Sequence, residues 1–142
     1  MKVVVDTSIW SSALRRGVQN NSAAVQELRH LVQDHRVQMI GPVRQKILSG
    51  IRHESQFNKL KAHLENFPDL SIITEDYVAA AKFFNLCRTK GVQGSNTDFL
   101  ICAVAVRNKF AIYSTDKDFD LFSKHLPIVM YRPEKTQSFH NA

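Results

Sequence analysis

Two cysteines are all the chain has in its 142 residues, and Cys87 and Cys102 stand in neither a CxxC nor a CxxH spacing. That excludes a disulfide framework and a thiolate zinc site, and marks both as reduced core residues. No apolar run is long enough to span a membrane, and Met1-Lys2 passes straight into Val3-Val4-Val5-Asp6 without the apolar stretch of a secretory leader. A cytoplasmic protein without membrane contact is therefore expected. Neither GxxxxGK(S/T) nor GxGxxG occurs, so nucleotide-binding folds lack their phosphate cradle. There is no internal repeat or low-complexity segment, and the six histidines share no spacing that would make a ligand set.

Acidic residues are outnumbered, 13 against 19 Lys and Arg, for a net charge of +6. The excess gathers in the first half, at Arg15-Arg16, Arg29-His30, Arg44, Lys46, Arg52-His53, Lys59 and Lys61. Such a balance favours a polyanionic partner through phosphate contacts and counterion release, and it also serves solubility. An apolar share of 44% with 23% charged residues suits one globular domain with a real core, over residues 1–132, followed by a polar tail at 133–142.

Along the chain, short apolar runs alternate with helical periodicities. Strands are expected at Lys2–Asp6, Val37–Ile40, Leu70–Ile73, Phe110–Tyr113 and Ile128–Tyr131. Helices are expected from Thr7 to Leu14, over Ser22–His35 after a Gln19-Asn20-Asn21 linker, from Pro42 to about Arg52, and over Ser55–Phe67. Three more follow: Glu75–Lys90 ended by Gly91, Ser95–Asn108, and Asp118–Lys124. This order predicts an α/β three-layer sandwich with a mainly parallel central sheet, since parallel crossovers need helices to carry them.

In such sheets the site lies beyond the carboxyl ends of the strands. Asp6 ends the first strand, Asp116 follows the run Ala111-Ile112-Tyr113, and Asp98 opens a helix so apolar that it must be central. Asp98 taken alone reads as a helix cap. Together, three carboxylates at one edge repel one another unless a cation sits among them. Oxygen ligands without His or Cys point to Mg²⁺ or Mn²⁺. One or two such ions suit phosphodiester hydrolysis, and with the basic charge they make nucleic acid the leading substrate class.

Val5-Asp6-Thr7-Ser8, Asn96-Thr97-Asp98-Phe99-Leu100-Ile101-Cys102-Ala103-Val104-Ala105 and Tyr113-Ser114-Thr115-Asp116-Lys117-Asp118-Phe119, in that order, resemble the PIN-domain nucleases. Length and order look like the VapC-type toxins of bacterial toxin–antitoxin modules. The resemblance implies a PIN-like fold, a Mg²⁺- or Mn²⁺-dependent endoribonuclease acting on RNA, a homodimer and a VapB-type antitoxin. It also implies that Asp6, Asp98 and Asp116 are catalytic and metal-binding, and that Thr7 and Thr115 support them by hydrogen bonds. Asp118 is a further outer ligand or a solvated helix cap.

The chain departs from the family at one place. In Gly41-Pro42-Val43-Arg44-Gln45-Lys46-Ile47-Leu48-Ser49-Gly50 the family pattern carries an acid, usually Glu, where Lys46 stands. Lys46 falls on or beside the buried face of its helix, so its ammonium is expected either to pair with Asp6, Asp98 or Asp116 or to snorkel to solvent. Glu54, eight residues on, lies too far along a continuous helix to replace the acid. Activity is therefore expected to be weakened or lost, and a PIN-fold module that binds an antitoxin without catalysis is the alternative. A haloacid-dehalogenase-type phosphatase would need an acid where Ser8 stands, and a receiver domain an acidic pair near the first strand. Trp10 is expected in the core rather than as a base-stacking platform.

Overall fold

The computed structural model describes residues 1–14 and 22–133; Arg15-Arg16, the Gln19-Asn20-Asn21 linker and residues 134–142 of the tail lie outside the described residues. β1 (Val3–Val5) is fully buried because it is the middle strand of a five-stranded sheet. β2 (Val37–Ile40) and then β3 (Asp69–Leu70) lie on one side of it, β4 (Ala111–Tyr113) and then β5 (Val129–Met130) on the other. Every pairing is parallel, so helices carry the chain back between strands and flank the sheet. The chain builds outward from β1 through β2 to β3, then returns to the opposite side for β4 and β5. This places the switch in strand order between β1 and β4, where Val5 is paired with Tyr113.

α1 (Thr7–Leu14) leaves β1 directly and buries Ile9 and Trp10. Trp10 meets Phe67 edge-on at 5.2 Å, so it belongs to the core. α2 (Ala23–Gln33) is capped by the Ser22 hydroxyl, which accepts from the Val25 N–H, and buries Val25, Leu28 and Leu31. α3 (Gly41–Leu48) carries Pro42 in its first turn and buries Val43 and Ile47. It ends at Leu48 rather than near Arg52, because Ser49 is extended and Gly50 takes a φ of +89°. α4 (Glu54–Leu64) follows after this break.

α5 (Thr74–Thr89) and α6 (Asn96–Asn108) pack side by side, with Phe84 edge-on to Phe99 at 5.6 Å. α6 is buried without interruption from Asp98 to Ala105, as its apolar sequence requires. Cys87 and Cys102 are free and buried on these two helices, and burial pushes both thiols up, which keeps them inert. α7 (Asp118–Ser123) buries Phe119 and Phe122 beneath the start of α6.

β3 is shorter than the Leu70–Ile73 expectation. Beyond Leu70 the backbone is recruited elsewhere: the Ser71 carbonyl accepts from Arg107, and the Ile73 N–H donates to Asp76 at the head of α5.

Candidate functional site

Asp6 extends β1 by one residue, its N–H donating to the Tyr113 carbonyl at 2.9 Å, so its side chain emerges at the switch point. The residue is 5% exposed. Its Oδ2 accepts from the Ser8 hydroxyl at 2.8 Å, the Ser114 hydroxyl at 2.8 Å and the Ser8 N–H at 3.3 Å. Its Oδ1 has no hydrogen-bond partner among the described residues. One oxygen is thus fixed by three hydrogen bonds.

Asp98 repeats this arrangement from α6. Its Oδ2 accepts from the Ser95 N–H at 3.2 Å, while its own N–H donates to the Ser95 hydroxyl at 3.1 Å, a reciprocal cap. The cap and the site are the same residue: Asp98 is 8% exposed, and its Oδ1 also lacks a partner among the described residues. Burial pushes its carboxyl above the ordinary range; the Ser95 hydrogen bonds oppose this, the charge of Asp6 adds to it, and Lys46 subtracts. The two acids therefore feel each other across the gap.

Asp116 is exposed and held by a turn: its N–H donates to the Ser114 hydroxyl at 2.9 Å, and its Oδ1 accepts from the Asp118 N–H at 2.9 Å. Asp6, Asp98, Asp116, Asp118, Thr7 and Lys46 all line one cleft of about 440 Å³. Two larger grooves, about 730 Å³ against Ile47 and Leu60 and about 540 Å³ against Tyr77 and Phe84, hold no carboxylate.

The supporting hydroxyls are not the threonines. The Thr7 hydroxyl is buried without a partner, and Thr115 has an exposed side chain and reaches the site only through its N–H, which donates to Ser8 at 3.2 Å. Ser8 and Ser114 do the holding instead. The sheet register explains Ser114: Val5 lies opposite Tyr113, so the next residues, Asp6 and Ser114, come side by side. That register is not written in either segment by itself.

Lys46 is exposed at the cleft wall rather than buried, and among the described residues it makes no ion pair within 4 Å. The direct pairing with Asp6, Asp98 or Asp116 is therefore not formed; a place at the margin of the α3 face lets the ammonium stay hydrated. Arg44, two residues earlier on α3, is committed elsewhere, donating to Asp69 and to the carbonyls of Leu64 and Phe67. Glu54 opens α4 and takes no part in the cleft.

Among the described residues no three His, Cys, Asp or Glu side chains converge into a ready-made ion cage. The donor chemistry nevertheless suits a hard divalent ion. Mg²⁺ keeps several waters and is held by one or two carboxylates with substrate phosphate, and Asp6 and Asp98 bring two carboxylates to one cleft whose lining also includes Thr7. No helix among the described residues is long and apolar enough to cross a membrane.

A parallel sheet with paired acids at its switch point defines an α/β protein with a hard-cation type of cleft. The PIN domain family profile matches residues 3–124, and the chain belongs to that family. It is 30% identical over 126 residues to VapC ribonuclease Mb1587 of Mycobacterium bovis, a match that covers 86% of this chain and 92% of that one. Ribonuclease VapC11 of Mycobacterium tuberculosis is similar to the same extent. Among solved structures, FitAcB from Neisseria gonorrhoeae superposes with a TM-score of 0.73 at 18% identity, covering 92% of this chain and 97% of that one. VapBC2 from Rickettsia felis, bound to a DNA fragment from its promoter, gives 0.74 at 15%, covering 94% and 100%. These two likenesses establish the fold.

Proposed function

We propose that the chain is a divalent-metal-dependent endoribonuclease toxin of a VapBC-type module, acting in the cytoplasm, with its activity lowered by Lys46. The observation that carries this reading is the pair of buried carboxylates, Asp6 and Asp98, each with one oxygen anchored and both lining the same cleft. The VapC ribonucleases it resembles supply the substrate class, RNA.

A bound Mg²⁺ or Mn²⁺ would supply the positive charge that activates water and stabilises the leaving oxygen of a phosphodiester. Asp6 and Asp98 would hold it directly, and Asp116 from across the cleft through water. Ser8, Ser114 and Ser95 keep the two buried carboxylates from rotating, so the free oxygens need no reorganisation on binding. Asp116 and Asp118, on their shared turn, orient the open side of the cleft, where an RNA strand enters. Lys46 replaces the acid of the family pattern and opposes cation binding by reversing the charge at that wall. A homodimer and a VapB-type antitoxin that covers the cleft complete the proposal.

The roles of the acids are tested in a Lys46→Glu background, where the strongest cleavage is expected. Asp6→Asn and Asp98→Asn should each abolish RNA cleavage, by about 10²-fold or more, with the circular dichroism spectrum unchanged. Cleavage that survives both changes would remove the site from the cleft.

A further inference from the structure

We infer that Lys46 takes the place of a second divalent ion, so that the cleft holds one ion where an acid at position 46 would let it hold two; this rests on the metal-dependent reading above. Four carboxylates and one ammonium, Asp6, Asp98, Asp116, Asp118 and Lys46, give the lining a formal charge of −3. One divalent ion brings it to −1. A glutamate at 46 would make the lining −5, and two ions would then bring it to the same −1. The chain with Lys46 thus reaches with one ion the balance that an acidic chain reaches with two.

The geometry divides the cleft in the same way. Asp6 and Asp98 form one half, reaching the cleft from two different elements, and Thr7, whose hydroxyl is buried without a partner, belongs to the same lining. This is enough for an ion that keeps most of its water. Asp116 and Asp118 form the other half, tied to one another through the Asp118 N–H. Lys46 has no ion pair of its own among the described residues, yet it lines the same cleft as all four carboxylates. Its four-carbon stem leaves the ammonium mobile enough to follow the carboxylates that a second ion would otherwise neutralise.

The test is a titration of the metal-free full-length chain with MnCl₂, with free Mn²⁺ counted by electron paramagnetic resonance and folding checked by circular dichroism. One ion per chain is expected for the unsubstituted chain and two for Lys46→Glu. Lys46→Met, which removes the ammonium without adding an acid, should bind its first ion about tenfold tighter or more. Asp98→Asn should lose the ion held by the unsubstituted chain. Equal stoichiometry in the unsubstituted chain and Lys46→Glu would overturn the inference, as would unchanged affinity in Lys46→Met. An ion bound only by Lys46→Glu would overturn it too, showing that Lys46 closes the cleft outright. No ion in either would overturn the metal-dependent function together with it.

Discussion

Asp6 shows how much a single carboxylate depends on which hydroxyl lies next to it. Ser8 and Ser114 together give its Oδ2 three hydrogen bonds, whereas the adjacent Thr7 gives none. Ser114→Ala should therefore cost about 1 kcal/mol in urea unfolding and weaken divalent-ion binding, because Asp6 loses part of its anchor. Thr7→Val should be neutral or stabilising by up to about 1 kcal/mol, since it removes a buried hydroxyl that has no partner and keeps the shape. A larger loss for Thr7→Val than for Ser114→Ala would contradict the hydrogen-bond assignment. The family resemblance alone favours the threonines, because it matches positions along the chain and carries no information on strand register.

At the scale of elements, the ends of helices decide where the site residues stand. Gly94 precedes the cap of α6, and a Cβ there would lie 2.4 Å from the Phe122 ring and 3.0 Å from that of Phe99. Both rings are buried and locked against one another at 4.7 Å, so neither yields easily. Gly94→Ala should cost about 1–3 kcal/mol, and by pushing on Ser95 it should also weaken ion binding at Asp98. A second end is fixed by Asp76, 1% exposed, which accepts two hydrogen bonds from Arg107 and one from the Ile73 N–H. Arg107 holds the Asp76 carboxyl below its ordinary value, against the opposing effect of burial. A depressed carboxylate stabilises the fold above its unfolded value, near about 3.9, and loses that contribution as pH falls through the folded value. Asp76→Asn should therefore be clearly less stable than the unsubstituted chain at neutral pH in urea unfolding, and the gap should close below about pH 4. The element order was legible from periodicity and caps, including Pro42 at the head of α3 and Ser95 at the head of α6. The early end of α3 and the short β3 were not: Ser49 is extended before Gly50 at positive φ, and the Ser71 carbonyl is taken by Arg107 from far along the chain.

For the whole molecule, the parallel sheet turns three separate sequence fragments into one cleft. Asp6 and Asp116 were readable as acids at strand ends, and Asp98 as the acid heading the most apolar helix; their convergence follows from β1 and β4 being neighbours across the switch in strand order. The position of Lys46 at the cleft wall followed from helical spacing after Pro42, whereas its exposure and lack of an ion pair depended on the depth at which α3 is seated. Of the basic residues in the first half, Arg44 is withdrawn into structural contacts and Lys46 stands at the cleft. The central claim, a metal-dependent ribonuclease restrained at one position, is tested most directly by incubating total RNA with the unsubstituted chain and with Lys46→Glu, each in Mn²⁺ and in EDTA. The account predicts weak or no cleavage by the unsubstituted chain, cleavage by Lys46→Glu that is at least about tenfold faster, and none by either in EDTA. Equal cleavage by both, or cleavage that persists in EDTA, would contradict it.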